Sequence, residues 1–175
     1  MANPTATQTN IQSEILAYEE LKEYGYCRVN ATFDNDPLIA GVGLGTLFAR
    51  TVDESASLTV YGAWAPVPVA DLADAATAFA PTADTHVEVG IMIGHGKLGL
   101  ATDEAFTVAD ATQDIVLLVR GAAIVRLPYI NYTGTATAAS TANITNVIQN
   151  NMVGVMPVDS FAPFDGTYSD VTPIT

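Results

Sequence analysis

The stretch that decides the fold is Asp114-Ile-Val-Leu-Leu-Val-Arg-Gly-Ala-Ala-Ile-Val125. It holds two apolar runs, Ile115–Val119 and Ala122–Val125, divided by Arg120-Gly121. Each run has the length of a strand, both are rich in β-branched residues, and a Gly beside a charge marks a break between them. Five and four residues are far too few to span a bilayer, which needs about 20. Val116, Leu118 and Val125 are the expected core. Arg120, a charge between two apolar runs, needs either a buried or subunit-crossing ion pair or a place at a solvent-facing strand edge.

Working outward, other strand signals lie at Leu58–Tyr61, Val87–Ile93, Lys97–Leu100 and Val153–Val158, with Gly94-His95-Gly96 as a turn. Pro37–Arg50 alternates Gly with Ile39, Val42, Leu44, Leu47 and Phe48. Gly41, Gly43 and Gly45 there predict a bulge, a sharp bend or a close backbone approach. Asp34–Pro37 is a turn cluster. Two short helices are expected. One covers Asp71–Phe79 in an Ala-rich tract, with a surface loop as its alternative. The other follows Thr141 across Ala142–Asn150, with Ile144, Val147 and Ile148 at helical spacing. Tyr129–Ser140 reads as a Thr/Ala/Gly loop.

The fold class is therefore mainly β with one or two short helices, within α+β. Residues 1–33 read as an N-terminal arm, 34–158 as a β-rich domain and 159–175 as a Pro/Gly/Asp-rich tail, with 62–83 as a possible insertion. The first ten residues are polar and show no basic region followed by an apolar one, so no secretory signal is expected.

At 175 residues the chain fits one domain with a real core. Hydrophobic residues reach 49% while charged residues are only 14%, a balance of a globular rather than a disordered chain. Lys and Arg number 6 against 19 Asp and Glu, for a net charge of -13, so direct binding to phosphate backbones is disfavoured. One cysteine excludes an internal disulfide framework, and Cys27 reads as a half-buried apolar residue.

The search for reactive chemistry finds little. Gly41-x-Gly43-x-Gly45 lacks the spacing and following helix of a dinucleotide site. Gly94-His95-Gly96-Lys97 lacks the Walker spacing. His86 and His95 form no metal-binding pair, so no metal and no cofactor are expected. Counting residues leaves a Ser-His-Asp triad open, but no G-x-S-x-G elbow supports one. Asp53-Glu54 and Asp103-Glu104 are neighbours that an acidic surface supplies by chance. Asp34-Asn35-Asp36 could serve a weak calcium site, yet Pro37 breaks that pattern. The Asn30, Asn131 and Asn143 sequons are expected by chance in a Thr-rich chain. No catalytic residue is assigned, and the chain is expected not to be an enzyme.

One resemblance rises above composition. Val87-Glu-Val-Gly-Ile-Met92, then the 114–125 stretch, then Ile144–Gln149 leading into Val153-Gly-Val155, resembles the head-decoration proteins of lambda-type tailed phages. Those proteins show a V-G-I-(L/M) strand, a V-L-V-R-G-x-A-x-V strand, and a short helix followed by a G-(I/V) strand. Asp36-Pro-Leu-Ile-Ala-Gly41 with Gly45 is similar to their opening strand. The likeness covers about 36–158 with gaps; a longer acidic segment at Ile11–Arg28 and the tract Gly62–Ala83 depart from it. It implies a compact barrel-like β-tulip with an extended arm. It also implies a cement role: a homotrimer on the outer surface of the expanded capsid, made in the host cytoplasm, contacting the major capsid protein and neither nucleic acid nor membrane. Ile15, Leu16, Tyr18, Tyr24 and Tyr26 would make capsid or inter-subunit contacts through the arm, by strand addition. The alternatives are another virion β module, of tail or fibre, and a small glycan- or calcium-binding module.

Overall fold

The computed structural model describes residues 15–19, 27–37, 39, 41–55, 57–95, 112–134 and 141–159. In chain order these form β1 (Leu16–Glu19), β2 (Arg28–Asp34), β3 (Leu47–Asp53), β4 (Val60–Tyr61), β5 (Ala65–Pro66), α1 (Val69–Ala73) and α2 (Ala75–Ala78). Then come β6 (Thr85–His95), β7 (Thr112–Leu118), β8 (Ala123–Arg126), a 3-10 turn at Leu127–Tyr129, α3 (Thr141–Asn151) and β9 (Val155–Val158). The protein is mainly β, with a few short helices and a sheet curled as a half-barrel.

The two apolar runs of the 114–125 stretch part company at Arg120-Gly121. β7 enters the larger, antiparallel sheet, whose order is β2-β7-β6-β3-β4, with β5 also paired to β3. β8 becomes the centre of a smaller sheet, β1-β8-β9, antiparallel to β1 and parallel to β9. Parallel neighbours need a long crossover, and α3 lies within the one that joins β8 to β9. The α+β character of the chain is concentrated there.

Burial follows this division. Ile115, Val116, Leu117 and Leu118 are all buried, because the second half of β7 is covered on both faces, while Thr112 and Asp114 at its start are exposed. β8 alternates: Ala123 and Val125 are buried while Ile124 and Arg126 are half-buried. Val116, Leu118 and Val125 are thus in the core as expected, and so are Ile144, Val147 and Ile148 of α3.

The bend between the sheets is built around Gly121, whose φ of 108° suits glycine. A Cβ at this position would collide with Cys27 Sγ. Cys27 itself is buried, and its carbonyl accepts from the Val119 N–H at 2.9 Å. The Gly121 N–H donates to the Val153 carbonyl at 2.9 Å, and a Cβ on Gly154 would sit 2.7 Å from the Gly121 oxygen. Backbones from three parts of the chain meet here at distances that side chains would prevent.

Several expectations are corrected. Residues 28–33, expected in the arm, belong to β2, which pairs with β7 from Arg28↔Leu118 to Asp34↔Thr112. Ala31 and Phe33 point to the core while Asn30, Thr32 and Asp34 are exposed, the period of a half-buried strand. Phe33 meets Phe48 edge to face, with centroids 5.1 Å apart. Within the 62–83 tract, the possible insertion, Trp64, Val67, Leu72 and Phe79 are buried in the core, so the tract packs with the rest of the domain.

The expected helix over Asp71–Phe79 is two short ones, because the backbone leaves helical geometry at Asp74 (φ -117°, ψ 44°). Gly94 and His95 continue β6 instead of turning. Residues 130–134 form a loop as expected, but a buried one: Ile130, Asn131 and Tyr132 are buried, and the backbone is paired at Asn131 N–H to Gly45 O (2.8 Å) and Thr133 N–H to Val67 O (3.0 Å). The expectation for Gly45 holds: it has φ 87° and its N–H donates to Met92 O at 2.7 Å, a close approach between backbones. Lys97–Leu100, the first ten residues and the 160–175 tail lie outside the described residues.

Candidate functional site

The residues expected to make arm contacts fare differently. Ile15 is fully buried within its own chain and belongs to its core. Leu16 is half-buried and packs against the same core, opposite Val125 in β1. Both are held because β1 pairs with β8 inside the chain. Tyr18 pairs through its backbone with Ile124, while its side chain, like Tyr24 and Tyr26, lies outside the described residues.

An open cleft of about 1080 Å³ lies beside the Arg120-Gly121 bend. Its first wall comes from the larger sheet, where the register sets Arg50 directly across from Glu88. The Arg50 guanidinium donates from Nε to Glu88 Oε2 at 2.6 Å, and Nη2 lies at the same distance. The same guanidinium stands 4.4 Å from the centroid of the Tyr61 ring and 4.7 Å from that of Trp64. Glu88 and the two rings together restrain the guanidinium. Val87, Val89 and half-buried His86 extend this wall.

The second wall is the α1–α2 segment, with Asp74 between its helices. The third is α3. Asn143, Asn146 and Asn150 succeed one another at steps of three and four, so they share one helix face, and that face lines the cleft. Val119, Arg120 and Val153, residues of the bend, form part of the lining, and Arg120 is exposed there. The alternative of a buried ion pair for Arg120 does not apply.

The described lining offers amides, the Arg50–Glu88 pair, the further charges of Arg120 and Asp74, the His86 imidazole, a phenol and apolar surface, and no Ser, Thr, Cys or Lys. Such a set recognises by hydrogen bonding and packing. Among the described residues, no three His, Cys, Asp or Glu side chains stand together to hold a metal ion. At the Asp34-Asn35-Asp36 cluster, Asn35 is buried and accepts from the Ile39 N–H at 3.0 Å, which makes it a turn-forming residue. Asp53 accepts from Ser55, and these bonds, the hydroxyl first and then the backbone N–H, hold its carboxyl below the ordinary value of 3.8.

The cleft escaped the sequence reading. Its Asn spacing was visible in 143–150, but Arg50, Tyr61 and Glu88 become neighbours only through strand register. A second feature is outward apolar side chains at both sheet edges. Leu58, Val60 and Tyr61 are 79%, 55% and 57% exposed at the β4 end, and Val153 and Met156 are 83% and 52% exposed at the β9 end. No helix among the described residues is long and apolar enough to cross a membrane.

The protein is thus a mainly-β chain with two sheets, a polar cleft at their junction and apolar edges. Comparison with family models, curated proteins and solved structures finds no match.

Proposed function

We propose that this chain is a structural capsid-decoration protein, binding the outer surface of an expanded tailed-phage head as a trimer and bracing it against internal pressure. The observation that carries this reading is how the resembling segments assemble. They are separated in sequence, yet they form one connected unit: 87–92 lies in β6, 114–125 spans β7 and β8, and 144–155 spans α3 into β9. They lock to each other through backbone bonds, Gly45 N–H to Met92 O and Gly121 N–H to Val153 O.

The outward apolar residues at the β4 and β9 edges support docking, since exposed apolar surface at sheet edges suits subunit and partner contacts. In this reading Ile15 and Leu16 leave the contact set, because they belong to the chain's own core, and the contacts fall to the residues before Ile15 and to Tyr24 and Tyr26. Three such arms on one trimer would act through effective concentration.

The test is co-sedimentation of the purified full chain with expanded and unexpanded heads from which it is missing. Binding to expanded heads alone, with a rise in their resistance to heat or chelation, is the expected result. Equal binding to both, or to neither, contradicts the reading.

A further inference from the structure

We infer that the cleft beside the Arg120-Gly121 bend is a binding site for a neutral saccharide, a property that does not depend on the capsid reading. The first argument is charge. The chain carries -13, yet among the lining residues Arg50 and Arg120 balance Asp74 and Glu88. Among the described lining residues the charges cancel, so on a strongly acidic molecule the cleft offers an anion no net attraction, and the Glu88 carboxylate is already satisfied by Arg50. The ligand it fits is polar and uncharged.

The second argument is hydrogen-bonding chemistry. A sugar hydroxyl both donates and accepts, and a primary amide does the same. α3 presents Asn143, Asn146 and Asn150 to the cleft over eight residues, about 10 Å of helix, a length suited to two linked sugar rings. Asn146 and Asn150 are exposed, so their amides lie within reach of a ligand.

The third argument is the platform opposite. Tyr61 is more than half exposed and its ring is held in place by the Arg50 guanidinium, itself fixed by Glu88. An oriented aromatic ring receives the C–H face of a pyranose, while the apolar side chains of Val87 and Val119 complete an amphipathic surface. An extended peptide fits less well. β3 and β6, the strands of this wall, are each paired on both sides within the sheet and offer no backbone edge for strand addition.

The experiment titrates the isotope-labelled full chain with chitotriose, maltotriose, cellotriose and, as the acidic counterpart, sialyllactose, following the side-chain amide signals of Asn146 and Asn150. At least one neutral sugar is expected to shift both amides and to be preferred over sialyllactose. Asn146→Ala with Asn150→Ala should weaken that sugar by about tenfold or more, the worth of two hydrogen bonds. Tyr61→Ala should weaken it comparably, while Leu58→Ser, outside the cleft, should not. Should the double Asn variant fail to fold, Tyr61→Ala and the amide shifts of the native chain still decide. No shift in the cleft with any neutral sugar, preference for sialyllactose, binding unmoved by both cleft variants, or cleft shifts produced only by an extended peptide each overturns the inference. None of these outcomes bears on capsid binding, so the two readings fail separately.

Discussion

β7 and β8 are separated by only four residues, yet they are held by different means. β7 sits between β2 and β6 and buries four consecutive side chains. β8 sits between the four-residue strands β1 and β9 and buries alternate ones. The larger sheet therefore owes its stability to a core that covers the second half of β7 on two faces, with the Phe33–Phe48 pair inside it. The smaller one depends on short strands, one α-helix and the glycine junction. The contrast teaches that an apolar run reports how many faces of a strand are covered, not which sheet the strand joins. Only the charged and glycine residues between the runs mark the change of sheet.

The comparison can be broken in the larger sheet first. Phe48→Ala removes a fully buried ring and should cost about 4 kcal/mol in urea unfolding, against which a loss below about 1 kcal/mol would show that this sheet is not the anchor. At the junction, Gly121→Ala should cost about 3 kcal/mol, from its positive φ and the collision with Cys27. Adding Cys27→Ala should recover part of that loss by removing the sulfur; simple additivity of the two changes would place the strain elsewhere. In the smaller sheet, Val125→Ala should cost about 2 kcal/mol, and native-state hydrogen exchange should find the β8 and β9 amides opening before those of β6 and β7. Simultaneous exchange of both sheets would merge them into one unit.

The smallest effect lies at the end of β3. Bonding from Ser55 lowers the Asp53 carboxyl below 3.8, so its stabilising contribution is full above that value and is lost as pH falls through the lowered one. An NMR titration of Ser55→Ala should move Asp53 back towards 3.8; an unchanged midpoint would contradict the hydroxyl's part.

Much of the fold was legible because its signals are local. The break at Arg120-Gly121, the helical spacing of Ile144, Val147 and Ile148, and the apolar 87–93 run need no partner to be read. What was missed depends on pairing. Val29, Ala31 and Phe33 alternate with polar residues as a strand should, but Cys27 through Phe33 lacked the density of apolar residues that marks β7, and the segment passed for an arm. Ile15 is core because β8 accepts β1 as a neighbour, a fact of register. The buried backbone at 130–134 carries Asn and Thr that look like surface-loop residues until Gly45 and Val67 supply their bonds. The cleft needed both kinds of information, the amide spacing from α3 and the Arg50–Glu88 pairing from the sheet.

The most direct test of the proposed role compares the full chain with one beginning at Ile15, each added to expanded heads and imaged by electron cryomicroscopy. This truncation keeps Ile15 and β1, so the core described above stays whole. The full chain should appear as trimers at the threefold positions, and the truncated chain should remain folded but leave those positions empty. Bare heads with the full chain, or equal decoration by both, would contradict the account.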